Sequence, residues 1–452
     1  MKNKKILVLL KYFKGELNPF DGAALECALE TGSKQIIALT MAPPHALGAF
    51  KGITRLGVKC VMISDSLYAG SDTQATSFIL AEAIKRFSPD LIFCGRQSVD
   101  GDTGQVPPML SGRLGYEIKS RVIDFSAGKI VLRNGESFIP QDKTIISFEK
   151  IRVLRFPSIF SKVGEVEVLD NSVLNLPKEK CGLKGSPTRV VKSYESSVGR
   201  RACSFVSADK LTDIIDASLK KQREEDSVCL SEKLGEVYFV GNIKAKAEAV
   251  GKRAIELVIE GKSLSEIAEE VKGKTVLWED AESLKITASK VAVIVGAGIC
   301  ADCISFRAEN GKLIMTRPAL GGNVTADIVC EGETAFATVR TVKSEASDVI
   351  FAVGKGAVDY LDKIKALADR YGAEVCCTRI VADSGRLPYE KQVGLTGRMV
   401  SPKVYVAFGI SGAVQHTCAI AGAGTVIAVN ADKQARIFDY ADYGIVSDVS
   451  KL

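Results

Sequence analysis

A short apolar run followed by a glycine-containing turn, near the carboxyl end of the chain, has the residue types of an anion-binding site. The run Val404–Phe408 is β-branched and aromatic, which predicts a strand, and the turn Gly409–Gly412 precedes a helix that we expect over 413–420. Backbone N–H groups at such a junction bind phosphate, and the glycines let a ligand approach the backbone. Three polar side chains would complete the site: Ser411, Gln415 and His416. An ordinary βαβ unit with turn glycines is the alternative.

Polar residues also follow two other predicted strands. The strand Thr425–Val429 ends at Asn430, and a strand that ends at Gly95 runs into an Asp-Gly-Asp-Thr-Gly loop before a helix that begins near Gln105. The carboxyl ends of parallel strands are where open α/β sheets bind ligands. The second loop therefore predicts a further anion site, with carboxylates that could accept hydrogen bonds from ribose or adenine.

Two other motifs resemble functional sites, but their surroundings argue against such sites. The run from Val291 to Ala301 contains the glycine spacing of a dinucleotide fingerprint, but the following residues have a strand-like pattern instead of the required helix. We therefore reject an NAD-dependent dehydrogenase, which would also lack a catalytic acid or base. The close cysteines Cys300 and Cys303 have no second pair and no nearby histidine, so we expect no metal.

Composition limits the class of protein. The chain has 452 residues, enough for about three domains, and its hydrophobic and charged fractions are those of a globular protein. A net charge of +6 over this length argues for neither nucleic acid nor a membrane surface, and no apolar stretch reaches the ~18 residues of a membrane span. Scattered cysteines predict free thiols and a cytoplasmic location.

The segments that position these residues have the pattern of alternating strands and helices over residues 6–115. This pattern predicts α/β domains with parallel, nucleotide-binding sheets. Residues 116–173 are strand-rich, and a long helix is expected over 245–260. A charged linker near Glu225 separates two halves, and we divide the chain into residues 1–225, 226–345 and 346–452.

The last segment contains sequence motifs that are specific to one protein family. The motifs QVGLTG, VSPKVYVAFGISGAVQH, VIAVNADKQARIF and ADYGIVSD occur in this order between Gln392 and Asp448. Together they closely resemble the carboxyl-terminal FAD domain of the electron-transfer flavoprotein alpha subunit. Upstream, RPALGGN and FATVR resemble the end of that subunit's amino-terminal domain, here shortened, and this match implies that 289–295 is helical.

This resemblance implies a set of FAD-binding residues in the carboxyl-terminal domain: Lys355, Thr378, Arg379, Gln392, Val393, Gly394, Leu395, Thr396, Gly397, Ser411, Gly412, Ala413, Val414, Gln415, His416, Asn430, Asp448 and Val449. Arg379 and a hydrogen bond donated by His416 would stabilise the negative charge of the reduced ring, and Thr396 could donate to N5. Leu395 stands where the family has glutamine, and Lys355 where it usually has arginine. We therefore expect the affinity for the cofactor to differ from that of the family.

The amino-terminal half, over roughly residues 1–222, resembles the electron-transfer flavoprotein beta subunit through NPFDGAALECAL, ALTMAPP, DGDTGQV and GLKGSPTRVVKS. In that family these stretches hold a second adenine nucleotide, AMP or FAD. The implied residues are Leu9, Asn18, Pro19, Phe20, Asp21, Met41, Gly95, Asp100, Gly101, Asp102, Thr103, Gly104, Gln105 and Val106. The family's aromatic cover over the flavin is reduced here.

The stretch Arg155–Val166 occupies the place of the family's partner-docking loop, where Ile159 or Phe160 would be the exposed anchor. A strand edge with these two side chains buried is the alternative. The chain as a whole is therefore expected to be a fusion of a beta-like and an alpha-like half. It would carry electrons between an acyl-CoA dehydrogenase or similar flavin dehydrogenase and a redox acceptor, with NADH-oxidising bifurcation left open. A nucleotide-binding scaffold that has lost electron transfer is the alternative.

Overall fold

The computed structural model describes residues 1–126, 128–133, 135–195, 199–220, 232–322, 324–340, 347–395 and 397–451. The chain divides into two compact units. The first unit comprises Met1–Ser193, Leu230–Leu320 and Ala326–Val339. The second comprises Tyr194–Cys229, Gly321–Thr325 and Arg340–Leu452. The predicted joint near Glu225 lies outside the described residues, and the division into three segments stays a prediction.

The elements up to residue 195 are strands β1 Lys5–Leu10, β2 Tyr12–Phe13, β3 Glu16–Leu17, β4 Gln35–Met41, β5 Lys59–Ile63, β6 Leu91–Gly95, β7 Glu117–Ser126, β8 Lys129–Leu132, β9 Ser137–Phe138, β10 Thr144–Phe148, β11 Val166–Leu169 and β12 Thr188–Glu195. The α-helices in this part are α1 Pro19–Glu30, α2 Leu47–Thr54, α3 Thr73–Lys85, α4 Val106–Leu114 and α5 Asn171–Leu174.

The later strands are β13 Ser204–Phe205, β14 Leu234–Val240, β15 Gly251–Glu256, β16 Thr275–Glu279, β17 Gly298–Cys303, β18 Ser305–Glu309, β19 Lys312–Ala319, β20 Val324–Cys330, β21 Ala335–Val339, β22 Val349–Val353, β23 Glu374–Cys377, β24 Val404–Phe408, β25 Thr425–Asn430 and β26 Tyr443–Val446. The later α-helices are α6 Leu211–Leu219, α7 Lys244–Val250, α8 Leu264–Val271, α9 Glu282–Val295, α10 Leu361–Tyr371, α11 Arg379–Asp383 and α12 Val414–Thr417.

The predicted parallel α/β architecture is confirmed. In the first unit the described strands form a nine-stranded sheet in the order β11-β5-β4-β1-β6-β10-β7-β8-β9, of which only β7-β8 and β8-β9 pair antiparallel, and a parallel sheet in the order β15-β14-β16-β21-β17. A four-stranded sheet has the order β12-β20-β19-β18. The second unit has a parallel sheet in the order β13-β26-β25-β24-β22-β23. Apolar clusters fill both faces of the nine-stranded and of the six-stranded sheet, as parallel sheets require.

Two sequence interpretations around residue 290 are confirmed. Helix α9 extends through the β-branched run to Val295, as the family resemblance implied. Gly296 ends it in the left-handed conformation, with φ at 70°, and β17 follows instead of a helix. The apparent dinucleotide fingerprint is therefore a helix end with a following strand, since its glycines do not precede a helix.

Two helices are shorter than the sequence predicted. The prediction of one helix over 245–260 is wrong in its second half, because α7 ends at Val250 and is followed by the strand β15, which pairs in parallel with β14. Gly251 lies against Val237 at this point, and strand pairing of the following residues outweighs their helical periodicity. The helix expected over 413–420 is only α12, Val414–Thr417.

Candidate flavin and nucleotide sites

The predicted flavin residues of the second unit gather at one edge of its six-stranded sheet. The ends of four strands are in register, with Val353 of β22 opposite Cys377 of β23 and Phe408 of β24, and Phe408 opposite Val429, the last residue but one of β25. The segments that follow these strands therefore begin at the same edge, which we call the carboxyl edge. They carry Lys355, Thr378 with Arg379, Ser411, and Asn430; Asp448 follows the neighbouring strand β26.

Five consecutive backbone N–H groups at this edge have no acceptor among the described residues. They belong to Ser411, Gly412, Ala413, Val414 and Gln415, which we call the amide turn. Consecutive backbone N–H groups that have no acceptor within the protein are suited to phosphate oxygens. With α12 only four residues long, the donors come from the turn geometry and the helix dipole contributes little.

The glycines of this region serve packing within the protein. A Cβ added to Gly412 would lie 2.1 Å from the backbone nitrogen of Ile437, and one added to Gly409 would lie 2.5 Å from that of Ala357. Gly354 is similarly close to the backbone of Gly409. The expectation that these glycines open the backbone to a ligand is therefore corrected: they allow neighbouring loops to approach one another, and this contact holds the amide turn in place.

Cationic and polar side chains lie beside the amide turn. Lys355, Ser411 and Gln415 are exposed, and Thr378 and Arg379 are partly exposed. The Nε of Arg379 donates to Oδ2 of Asp383 at 3.3 Å, a surface pair that contributes little to stability and can rearrange around an anion. Cations and bare amides at one sheet edge match the charge of a diphosphate, so the residues present fit the cofactor that the sequence predicts.

The loop 392–398 is fastened to this edge by backbone hydrogen bonds. The N–H of Val393 donates to the Cys377 carbonyl at 2.9 Å, and that of Leu395 to the Gln415 carbonyl at 2.6 Å. Gly394 and Gly397 lie in the turn of the loop, and Gln392 is buried. Thr396 lies outside the described residues, so its predicted donation to the flavin N5 stays a prediction.

Sequence reasoning missed two arginines that support this loop. Nη2 of Arg340 donates to the Leu395 carbonyl at 3.2 Å. Arg398 forms a two-pronged pair with Glu374, which, together with Lys391, holds the pKa of that carboxyl well below its usual value, at about 2. Arg340 ends a recognised motif, but no spacing in the sequence indicates which carbonyl it binds.

His416 does not have the role expected from the sequence. Its ring is buried, with Nδ1 3.1 Å from the Val393 carbonyl oxygen and Nε2 2.8 Å from the Tyr405 hydroxyl. Since the carbonyl can only accept, Nδ1 carries the proton and Nε2 accepts from Tyr405. Burial lowers the pKa of His416 to about 4, so the ring is neutral at pH 7. The predicted donation to the flavin is corrected, because both nitrogens are already bonded within the second unit.

The remaining predicted flavin residues also have partners within the second unit. Asn430 donates to the Ile410 carbonyl at 2.8 Å and accepts from the Asp432 N–H, which fixes the turn after β25. Asp448 accepts from Ser450, whose hydroxyl and amide lower the pKa of the carboxyl. The side chain of Val449 is in the apolar core, so only its backbone remains for a ligand.

A cavity of about 800 Å³ lies within the first unit and is called the first-unit cavity. Ten of the fourteen residues predicted for the second nucleotide line it: Leu9, Asn18, Asp21, Met41, Gly95, Gly101, Thr103, Gly104, Gln105 and Val106. Its volume is in the upper part of the range of about 300–1,000 Å³ typical of small-molecule sites. Residues that the family resemblance named in four separate segments of the chain thus line one cavity.

Four residues predicted for this site are not in the lining: Pro19, Phe20, Asp100 and Asp102. Of the carboxylates expected to accept from ribose or adenine, Asp100 pairs through Oδ2 with Lys11 at 2.8 Å, and Asp102 accepts through Oδ1 from the Gln97 amide at 2.9 Å. Asp21 accepts from the N–H groups of Lys11 and Gly95, and its burial raises the pKa to about 7. Asp100 and Asp102 do not line the cavity, and their contact with a ligand stays a prediction.

The predicted docking loop exposes its apolar side chains. Ile159 and Phe160 are 84% and 87% exposed, and Phe156 is 93% exposed, so the alternative of a strand edge that buries Ile159 and Phe160 is wrong. The backbone of this loop is nevertheless anchored, because Arg55 donates to the Ser158 and Ser161 carbonyls. Nearby, Arg155 pairs with Glu26 at 2.6 Å. Anchored backbone with exposed apolar side chains is typical of an interaction surface.

Comparison with known proteins agrees with this geometry. A family model described as the electron transfer flavoprotein domain matches residues 6–137 and 260–364, and one described as the electron transfer flavoprotein FAD-binding domain matches residues 344–421. The chain therefore belongs to the electron transfer flavoprotein family and contains an FAD-binding domain. Asn430, Asp448 and Val449 lie beyond the FAD-domain match, and their contact with the cofactor stays a prediction.

The similar individual proteins include both alpha and beta subunits of this family. The electron transfer flavoprotein subunit alpha of Thermoanaerobacterium thermosaccharolyticum is 33% identical over 237 residues, which is 42% of this chain and 72% of that protein. The subunit beta of the same organism is 33% identical over 201 residues, 41% of this chain and 77% of that protein. Protein FixB of Rhizobium meliloti is 31% identical over 223 residues, 39% of this chain and 62% of that protein. The chain thus combines beta-like and alpha-like parts.

Within the described part of the chain, we find no helix with both the length and the apolar character needed to cross a membrane. The cytoplasmic location stays a prediction.

Proposed function

We propose that the protein is an electron carrier whose FAD is held at the carboxyl edge of the second unit. It takes electrons from a flavin dehydrogenase, of the acyl-CoA dehydrogenase type, and passes them to a redox acceptor. The observation that carries the proposal is the amide turn, whose five backbone donors have no acceptor among the described residues and lie at the same sheet edge as Lys355 and Arg379. When bound, FAD supplies the redox chemistry. The protein binds the diphosphate with amides and cations and places Arg379 where it can lower the energy of negative charge on the ring.

An Ala413→Pro variant tests the amide turn. Ala413 is exposed and has a φ of −58°, which suits proline, and its N–H has no acceptor within the described residues. The substitution therefore removes one donor with little expected loss of stability. We expect FAD to bind about tenfold more weakly, as loss of one hydrogen bond to a charged group predicts. Flavin fluorescence titration of the apoprotein measures this.

Ala413→Ser is the matched control, because it adds a side chain at the same exposed position and keeps the N–H. We expect it to bind FAD within about twofold of the parent protein. Equal affinities of the proline and serine variants, with both proteins folded by circular dichroism, would mean that the amide turn does not hold the cofactor.

We also propose that the first-unit cavity holds a second adenine nucleotide, AMP or FAD. The ten predicted residues in its lining support this proposal. Acid release followed by counting of FAD and AMP per chain tests it: one FAD with one AMP, or two FAD, is expected. A protein that releases AMP alone and has no flavin absorbance would favour the alternative of a scaffold that has lost electron transfer.

The exposed docking loop is the part of the proposal that concerns partners. We expect an Ile159→Ser, Phe160→Ser double variant to keep its stability and its bound FAD, because neither side chain is packed. Reduction of that FAD by a cognate flavin dehydrogenase should slow about tenfold, because apolar anchors dominate such contacts. Ile139→Ser, at another exposed apolar position of the first unit, is the control. Equal rates for the double variant and the control would exclude this loop as the docking surface.

A further inference from the structure

Arg317 lies on β19 at the wall of the first-unit cavity and is 4% exposed. Its Nε donates to the Ala301 carbonyl at 2.7 Å, and its Nη1 to the Gly101 carbonyl at 2.6 Å. These two bonds fix the guanidinium beside the loop 101–105. Its Nη2 has no acceptor among the described residues, although arginine side chains this deeply buried normally have all their donors bonded.

The charge of Arg317 is also uncompensated within the described residues, where it forms no ion pair. Two other cations that line the cavity have carboxylate partners: Lys11 pairs with Asp100 at 2.8 Å and Arg96 with Glu149 at 3.2 Å. Asp302, which follows the Ala301 whose carbonyl Arg317 binds, pairs instead with Lys285 at 2.6 Å, and Asp327 pairs with Arg307 at 2.9 Å. Because a buried cation without a counter-charge is strongly unfavourable, an anionic ligand in the cavity is the natural partner.

A second buried donor in the cavity lining also lacks a hydrogen-bond acceptor among the described residues. Nε2 of Gln105, a side chain that is 4% exposed, has no acceptor among the described residues, while its Oε1 accepts from the Thr73 hydroxyl at 3.2 Å. Gln105 ends the same loop whose Gly101 carbonyl binds Arg317. Two N–H donors at one loop, one of them cationic, complement the oxygens of a phosphate group.

We propose that Arg317 pairs with a phosphate of the nucleotide in the first-unit cavity and that Gln105 supports it, so that the site selects nucleotides over nucleosides. This proposal rests on the second-nucleotide site proposed above. Arg317 belongs to the alpha-like segment, whereas the residues that the sequence analysis assigned to the second nucleotide belong to the beta-like one. The alternative is that Arg317 only donates hydrogen bonds to the Ala301 and Gly101 carbonyls and does not contact the ligand.

The test compares AMP with adenosine, which differ by the phosphate alone, on full-length protein freed of bound nucleotide. For the parent protein, calorimetry should give at least tenfold tighter binding of AMP. In Arg317→Gln, AMP should weaken at least tenfold and adenosine by no more than about twofold. Lys312→Gln removes a positive charge from an exposed position of the same strand, where it pairs with Glu331, and should leave both affinities unchanged.

Each other outcome has a distinct meaning. Equal weakening of AMP and adenosine in Arg317→Gln would overturn the phosphate pairing and leave a bonding role for the two carbonyls. Equal binding of AMP and adenosine by the parent protein would overturn it while the adenine site remains. Binding of neither AMP nor adenosine nor FAD at the cavity would overturn the second-nucleotide site as well.

A second variant keeps the test decisive if Arg317→Gln does not fold. Arg317→Lys retains the charge but cannot reach both carbonyls and the ligand at once. It should keep a clear preference for AMP over adenosine, even where both bind more weakly. Complete loss of that preference in a folded Arg317→Lys protein would overturn the proposal.

Discussion

A Gly412→Ala variant is expected to lose about 2–5 kcal/mol of unfolding free energy and, with it, most of its FAD binding. Gly412 has a φ of +85°, which is unfavourable for alanine. The added Cβ would also lie 2.1 Å from the Ile437 nitrogen and 2.4 Å from the Arg436 carbonyl carbon. Neither neighbour is the flexible end of a side chain, so the loops must separate. Urea unfolding and flavin titration measure the two effects.

Gly385→Ala is the control that separates the cost of backbone strain from the cost of the contact between Gly412 and 436–437. Gly385 belongs to the same unit and has a φ of +73°, but a Cβ there would meet nothing within 4 Å. Its substitution should cost only the left-handed penalty, about 1 kcal/mol, and leave FAD binding unchanged. If both variants lose the same stability, the contact between Gly412 and 436–437 is not what holds the amide turn.

The parallel-strand framework could be predicted well from the sequence. The runs that became β1, β4, β5, β6, β22, β24 and β25 are continuous apolar segments, as strands buried on both faces must be. Once such strands are parallel, their carboxyl ends lie at one edge, which is why Ser411 lies at the same edge as Lys355 and Arg379, two residues that the family resemblance had named. Topology therefore located the candidate site more reliably than helical periodicity located α7 or α12.

The roles of individual side chains could not be predicted in the same way. His416 looks like a donor at a phosphate-binding turn, but its partners are a tyrosine on β24 and a carbonyl twenty-three residues away in the chain. Arg317 is similar: the sequence marks it as part of a family motif, and only the structure places its guanidinium in a cavity without a counter-charge. Both depend on which loops meet in three dimensions, and no local pattern contains that information.

The second large prediction concerns His416 and pH. Burial lowers its pKa to about 4 in the folded protein, against about 6.5 in an unfolded chain. Between these values the unfolded chain binds more protons at this ring, so the contribution of His416 to the free energy of unfolding falls as the pH falls from 6.5 to 4. The contribution of Asp21, whose pKa burial raises to about 7, changes in the opposite direction, so the effect of His416 is obtained by comparison with a variant that lacks the ring. The total loss from this one ring is about 3 kcal/mol, with no contribution above pH 6.5 and no further loss below pH 4. Urea unfolding at several pH values measures the slope.

A His416→Gln variant removes the titrating ring, so its stability should vary less with pH than that of the parent protein, by about 3 kcal/mol over this window. Its absolute stability is expected to fall, since Tyr405 and Val393 lose their partner, but the comparison uses only the slope. Glu374, with its pKa lowered to about 2, titrates mainly below this window. His45→Gln is the control, because His45 is the only other histidine and is exposed. If His416→Gln keeps the parent slope, His416 is protonated in the folded protein and its ring is not bonded as described.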